Sequence, residues 1–90
     1  MKSIHHPAYK TLQQRLAAAR IAAGLTQSTL ATKLARPQSF VSKVEAGDRR
    51  LDVVEYVQWM RAVNMDPTTI VKALSADIDT GRHRRALTKT

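Results

Sequence analysis

Ninety residues without a cysteine, carrying a formal net charge of +8, allow one small domain that is held together by packing alone. Disulfides and thiolate metal sites are excluded, and no stretch reaches the roughly 18 consecutive apolar residues of a membrane span. The beginning, MKSIHHPAYK, also lacks the apolar run of a secretory signal, so we expect a soluble, cytoplasmic protein.

The first predicted element is a helix from Tyr9 to Ala23, a stretch rich in the good helix formers Ala, Leu, Gln and Arg. Apolar residues recur on one face: Leu12, Leu16, Ala19 and Ala23. Gly24 is suited to a left-handed stop, and Leu25 is expected to return to the core. Residues 1–8 are interpreted as a flexible N-terminal arm.

A second, short helix is predicted from Gln27 to Leu34, with Thr26 as its cap. Its predicted buried residues are Leu30, Ala31 and Leu34. Pro37 then disfavours helical geometry at Arg36 and suits the first turn of a new helix.

The third helix is accordingly predicted from about Pro37 to Ala46, and Gly47 ends it. Its inner stripe consists of Phe40, Val41 and Val44. The positions that face outward are Gln38, Ser39, Ser42 and Lys43.

A fourth helix is predicted from Asp52 to Val63, with Asn64 closing it in left-handed geometry. Its predicted core-facing set is Val53, Tyr56, Val57, Met60 and Val63. A fifth helix follows, with Asp66 as cap and Pro67 in the first position, and ends around Asp77. Its apolar positions are Ile70, Val71 and Leu74.

The positive charge is unevenly distributed along the chain. Residues 1–50 hold nine Lys or Arg against two carboxylates, residues 51–81 carry a net charge of −3, and the last nine residues carry +4. This favours a polyanion that docks on the N-terminal half, whereas ordinary solubilising charge is the alternative interpretation. Residues 79–90 lack apolar periodicity and are interpreted as a basic mobile tail, which leaves residues 9–78 as the domain.

The second and third helices form a helix-turn-helix pattern. Ala31 is small where the two helices cross, and Val41 and Val44 fill the wedge between them. This packing leaves the N-terminal, outward part of the third helix projecting at a width that fits the DNA major groove. The expected fold is all-α.

The stretch GLTQSTLATKLARPQSFVSKVEAGDRR resembles the DNA-binding domain of the phage repressor class, the Cro/C1 or XRE helix-turn-helix family. The resemblance spans Leu12 to Leu74 and includes GLTQ, the helix-crossing Ala31, PQSFVSKVEAG and the two-helix apolar pattern that follows. It implies a compact five-helix, lambda-repressor-like DNA-binding domain.

By resemblance, Gln38 and Ser39 stand where the family reads base edges. The amide of Gln38 presents a donor and an acceptor together, which matches adenine N7 and N6. Lys43, one turn further along, is predicted to reach guanine O6 or N7, or a phosphate instead. We therefore predict base contacts from these three residues.

The DNA backbone contacts implied by the resemblance surround them. Gln27 opens the second helix, where the family contacts a phosphate and often braces the first recognition residue. Arg49 and Arg50 lie in the loop where family members grip the phosphate chain. The full predicted backbone-contacting set is Gln27, Lys33, Arg36, Ser42, Arg49 and Arg50.

The family also uses a buried ion pair, which implies that Arg20 and Glu45 tie the first helix to the third and have a structural role. Two positions depart from the family pattern. Ala35 replaces the usual Gly, so left-handed geometry there would cost roughly 1–2 kcal/mol. Pro37 replaces the hydroxyl residue that caps the third helix.

Trp59 is predicted at the edge of the buried stripe of the fourth helix. There it would meet a second subunit together with Leu51 or Val54, which defines a predicted dimer interface. Simple packing at the edge of the core is the alternative interpretation.

Neither a metal site nor a catalytic site is predicted. His5 and His6 lack a third ligand and are interpreted as solvated. The three histidines lie in the terminal segments, and no carboxylate pair has a base or metal partner. We therefore expect neither an enzyme nor a cofactor.

The predicted function is sequence-specific binding of double-stranded DNA by a transcriptional regulator, a repressor that acts as a homodimer on a palindromic operator. The main alternative is a DNA-binding antitoxin that also neutralises a toxin protein, which a basic C-terminus would suit. Non-specific coating of nucleic acid is a third interpretation. For the tail, phosphate binding, contact with a protein partner and a solvated end all stay open.

Overall fold

The computed structural model describes residues 6–78, and the five α-helices in that range confirm the all-α prediction. In chain order they are α1 (Pro7–Ala22), α2 (Gln27–Lys33), α3 (Gln38–Ala46), α4 (Val53–Ala62) and α5 (Thr68–Ile78). α1 packs against α3, α4 and α5, while α2 packs against α3 and α4. Residues 1–5 and 79–90, and with them most of the predicted arm and the whole predicted tail, lie outside the described residues.

Side-chain caps set the starts of the first two helices. His6 Nδ1 accepts a hydrogen bond from the backbone N–H of Ala8 at 3.0 Å, so α1 begins at Pro7, earlier than predicted. Thr26 Oγ1 accepts from the backbone N–H of Thr29 at 3.0 Å, which confirms the predicted cap of α2. None of the helices among residues 6–78 is long and apolar enough to cross a membrane.

The later helices differ in how they start. Pro37 precedes α3 without a side-chain cap. Asp52 and Glu55 cap α4 reciprocally: Asp52 Oδ1 accepts from the Glu55 N–H at 2.7 Å, and Glu55 Oε1 accepts from the Asp52 N–H at 3.0 Å. Asp66 Oδ1 accepts from the backbone N–H of Thr68 at 2.9 Å, and α5 starts at Thr68, one residue later than predicted.

Four residues between helices have positive φ. Gly24 and Gly47 adopt φ values of +76° and +85°, and Asn64 adopts +60°. Ala35, in the α2–α3 turn, has φ of +55°, so the strain of roughly 1–2 kcal/mol expected for a non-glycine residue is present there. The short α2–α3 turn is therefore kept at a cost in stability.

The core lies between all five helices, and its largest fully buried side chain is Trp59. The indole Nε1 donates a hydrogen bond to the backbone oxygen of Leu16 at 3.3 Å. The prediction that Trp59 lies at the edge of the stripe is therefore wrong, and this residue is not available to a dimer interface. Burying Trp59, the largest apolar side chain, stabilises the fold more than burying a valine would. We infer that α4 is rotated about its own axis, relative to the prediction, so that Trp59 enters the core.

Other predicted apolar positions are exposed as well. Val53, at the first turn of α4, is exposed rather than core-facing. Val71 of α5 and Ala23 at the end of α1 are exposed as well. The buried residues are Leu16, Ala19, Leu30, Ala31, Phe40, Val41, Val44, Trp59, Met60, Val63 and Ile70.

Candidate nucleic-acid interface

The packing of α2 on α3 decides which side of α3 faces outward. Ala31, Val41 and Val44 are buried between the helices, as the helix-turn-helix pattern predicts. Gln38 and Ser39 are consequently exposed at the N-terminal end of α3. The two residues that the resemblance assigns to base reading thus lie side by side on the surface.

The remaining predicted contacts are more widely spread. Lys43 is exposed one turn further along α3, and Ser42 beside it is half-buried. Arg50 is exposed in the α3–α4 loop. Lys33, by contrast, is the last residue of α2, at the opposite end of that helix from Gln27. Lys33 lines a surface pocket together with residues of α4.

A chain of hydrogen bonds runs from the core side of α3 to its exposed end, and we call its members Arg20, Gln27, Gln38 and Glu45 the Glu45 network. Arg20 Nε donates to Glu45 Oε2 at 2.7 Å, and Arg20 Nη2 donates to Glu45 Oε1 at 3.0 Å. The bond to Glu45 is the main cause that raises the pKa of Arg20. Exposure of the two side chains is 13% and 9%, so the expected ion pair is present and largely shielded from water.

Gln27 continues this network to the surface. Its Nε2 donates to Glu45 Oε1 at 3.0 Å, and its Oε1 accepts from Gln38 Nε2 at 3.0 Å. Because a carboxylate only accepts hydrogen bonds, the amide nitrogen of Gln27 must point at Glu45 and its oxygen at Gln38. The Gln38 amide therefore retains its oxygen and one N–H for another partner.

Two predicted backbone contacts belong to a second network, which we call the Glu55 cluster: Arg36, Phe40, Arg49 and Glu55. Arg36 Nη2 donates to Glu55 Oε2 at 3.1 Å, and Arg49 Nη1 and Nη2 donate to Glu55 Oε1 and Oε2 at 2.8 Å and 3.0 Å. Both guanidinium groups lie over the Phe40 ring, at 4.0 Å and 4.8 Å from its centroid.

The electrostatics of the cluster follow from this geometry. The hydrogen bond from Arg49 is the main cause that lowers the pKa of Glu55, and the same bond raises the pKa of Arg49. Two positive charges meet one negative charge, so the three charged groups together carry +1. The cluster keeps excess positive charge on the surface next to α3.

Sequence reasoning missed Glu55, although one signal marked it. The spacing Asp-x-x-Glu at Asp52 and Glu55 is that of a capping box, and it placed the carboxylate at the start of α4. Nothing in the local pattern indicates that Arg36 and Arg49 reach the same carboxylate.

For metal binding, the residues that the structure describes contain no group of three potential ligands. His6, one of the two adjacent histidines, caps α1.

Comparison with known proteins decides the family. A family model described as a helix-turn-helix domain matches residues 12–72. A solved structure of an XRE-family like protein from Pseudomonas syringae pv. tomato str. DC3000 is 48% identical, with a TM-score of 0.77 over 83% of this chain and 92% of that chain. The chain belongs to the XRE-type helix-turn-helix family. No curated protein matches it.

Membership confirms the resemblance found in the sequence and the five-helix fold. The XRE-type domain is a DNA-binding domain of transcriptional regulators, so DNA is the partner of this chain. The Glu45 network and the Glu55 cluster are the two features that the XRE-type fold positions beside the exposed end of α3.

Proposed function

We propose that this XRE-type protein is a sequence-specific DNA-binding repressor that reads the major groove with α3. The observation that carries the proposal is the exposed amide of Gln38, held at the N-terminal end of α3 by a 3.0 Å hydrogen bond to Gln27. A side chain kept in one orientation reads a base edge with less loss of conformational entropy on binding. The protein acts in the cytoplasm and needs no cofactor or catalytic activity.

Base reading by Gln38 follows from its remaining hydrogen-bond groups. Its free oxygen accepts from adenine N6, and its second N–H donates to adenine N7. A good bidentate contact of this kind discriminates against a wrong base by about 1–3 kcal/mol. Ser39 and Lys43 contact the neighbouring base pairs, and Lys43 prefers guanine.

The proposed phosphate contacts surround the base-contacting residues of α3. Arg50, exposed in the α3–α4 loop, binds the DNA backbone, with Ser42 and Gln27 as further contacts. Arg36 and Arg49 use the N–H groups that Glu55 leaves free. Lys33, at the far end of α2, contributes positive charge at longer range.

A homodimer on a palindromic operator completes the proposal. One domain contacts only a few base pairs, and a two-fold dimer reads two half-sites about one helical turn apart. With Trp59 buried, the predicted interface reduces to Val54, which is 66% exposed, and the half-buried Leu51. Repression needs only that the dimer occupies a promoter.

The dimer is tested by sedimentation equilibrium of two matched variants. Val54→Lys is expected to shift the protein to monomer, whereas Val71→Lys, at a 53% exposed valine on α5, leaves the dimer intact. Dissociation by Val71→Lys alone would place the interface on α5. A monomeric wild-type protein at micromolar concentration contradicts the dimer.

DNA reading is tested by footprinting the purified protein on the DNA upstream of its own gene at stated salt. A palindromic protected site supports the regulator. A stoichiometric complex with a toxin encoded next to it would instead support the antitoxin. Equal affinity for all duplexes would support non-specific coating.

Two variants with matched controls assign the roles. Gln38→Ala is expected to weaken operator binding by about 1–3 kcal/mol and to leave binding of a scrambled duplex nearly unchanged. Arg50→Ala is expected to weaken both. Gln58→Ala removes the same amide from an exposed position on α4 and is expected to change neither affinity. Arg61→Ala removes the same charge from α4 and is expected to weaken both affinities less than Arg50→Ala does. Equal losses from Gln38→Ala on both duplexes contradict base reading.

A further inference from the structure

We propose that Glu55 is a positioning residue that sets the ratio of specific to non-specific DNA binding, because it tethers two arginines at opposite ends of α3. The proposal rests on the proposed function, since it assumes that α3 reads DNA. Glu55 itself contacts no DNA in this scheme. It acts through the guanidinium groups that it holds.

The two arginines come from the segments that flank α3. Arg36 lies in the turn just before α3, and Arg49 lies in the loop just after it. Both converge on the Glu55 carboxylate, at 3.1 Å from Arg36 Nη2 and at 2.8 Å from Arg49 Nη1. One side chain of α4 therefore holds the segments at both ends of the recognition helix.

The tethered arginines still face solvent. The Glu55 side chain is only 12% exposed, whereas those of Arg36 and Arg49 are 35% and 39% exposed. The two arginines make five hydrogen bonds, four to Glu55 and one from Arg49 to the backbone oxygen of Arg50. Since each guanidinium has five N–H groups, half of the donors stay available to phosphate oxygens.

The Phe40 ring lies beneath both guanidinium groups. Contact with the face of a buried aromatic ring of α3 restricts where each guanidinium lies, and the hydrogen bonds to Glu55 restrict its direction further. Arginines held in this way fit phosphates in one register of the protein on DNA. Phosphate contacts of fixed geometry position a protein, whereas mobile cations bind any register equally.

The charge balance leads to a distinctive expectation. Glu55→Gln raises the cluster from +1 to +2 and frees both arginines. Free arginines contact phosphates on any sequence, so affinity for a scrambled duplex rises and the slope of log K against log salt steepens by about 1. Operator affinity does not rise with it, because the register is no longer enforced. We expect the ratio of specific to non-specific affinity to fall about tenfold.

The experiment measures fluorescence anisotropy of the operator duplex and of a scrambled duplex between 50 and 200 mM salt. The charge control is Asp48→Asn, which removes one negative charge from an exposed residue in the α3–α4 loop without touching the cluster. It is expected to shift both affinities equally. Adding Arg49→Gln to Glu55→Gln removes one freed arginine and is expected to return the salt slope to the wild-type value.

The outcomes separate this proposal from the proposed function. A folded Glu55→Gln with a lower ratio and a steeper salt slope supports the tether, and any other result for the folded variant overturns it. If Glu55→Gln does not fold, Glu55→Asp keeps the charge with a shorter reach and must lower the ratio in the same direction; an unchanged ratio overturns the proposal. If the wild-type protein shows no preference for the operator over the scrambled duplex, the proposed function itself is contradicted.

Discussion

Glu45 and Glu55 are both partly shielded carboxylates that bind arginine beside α3, yet they do so in different ways. Glu45 binds one arginine, so that pair is neutral, and its network ends in the uncharged amide of Gln38. Glu55 binds two arginines and leaves one positive charge in excess. A base edge is read by directed donors and acceptors, whereas a phosphate attracts charge. The difference in charge balance therefore fits the two tasks that we propose for this surface, base reading and phosphate binding.

The largest expected effect comes from removing Glu45. Glu45→Ala leaves Arg20 without its partner in a largely shielded site, so we expect the free energy of unfolding to fall by about 3–5 kcal/mol. Urea denaturation followed by circular dichroism measures it. The double variant with Arg20→Met, which removes both charges, is expected to recover part of the loss. A loss below about 1 kcal/mol for Glu45→Ala would show that the pair is no stronger than a surface ion pair.

Removing the middle of the same network has a smaller effect, on recognition rather than on stability. Gln27→Ala keeps the Arg20–Glu45 pair but releases the Gln38 amide. We expect discrimination at the base that Gln38 reads to fall by about 1 kcal/mol. Competition titrations with operators altered at that base pair measure it. In a double-mutant cycle with Gln38→Ala the two losses must be less than additive, and full additivity would show that Gln27 does not orient Gln38.

The Glu55 cluster is expected to make the free energy of unfolding depend on pH. The hydrogen bond from Arg49 holds the pKa of Glu55 below its ordinary value near 4.5. The pKa of Glu55 is lower in the folded state than in the unfolded state, so the cluster stabilises the folded protein above about pH 4.5. This stabilisation is lost as the pH falls through the folded-state pKa.

The matched variant isolates this contribution. At neutral pH, wild type is expected to exceed Glu55→Gln by about 1 kcal/mol, a small value because both arginines are partly exposed to solvent. The difference must shrink towards zero in acid, as measured by thermal unfolding between pH 7 and pH 3. The pKa of Asp66 is also lowered, by the backbone N–H of Thr68. Because Asp66 is present in both proteins, its titration does not contribute to the difference in stability between them. A difference that is independent of pH contradicts the assignment.

The smallest effect is expected in the turn that leads to Arg36. Ala35→Gly removes the backbone strain of a non-glycine residue at φ of +55°. Because glycine also raises the conformational entropy of the unfolded chain, we expect a net stabilisation below about 1 kcal/mol. Thermal unfolding measures it. Ala18→Gly, at an exposed position inside α1, is the control and is expected to destabilise by about 1 kcal/mol. Destabilisation by Ala35→Gly would mean that the alanine is not strained.

Local chemistry made most of the fold predictable. Thr26 and Asp66 cap helices by bonding the backbone within three residues, and Gly47 ends α3 because glycine accepts positive φ without strain. Helical periodicity likewise marked the buried face of α3, with Val41 and Val44 inside and Gln38 outside. The positions of the predicted base-contacting residues on the surface follow from these short-range rules.

The sequence by itself therefore determined the helices, the helix-turn-helix and the family, because caps, turns and periodicity act over a few residues. The rotation of α4 that buries Trp59, and the meeting of Arg36 and Arg49 on Glu55, emerged only from the folded chain. Both depend on how α4 docks against α1 and against the turn before α3. Docking is set by the volume and charge of side chains that are far apart in sequence, and no local pattern encodes it.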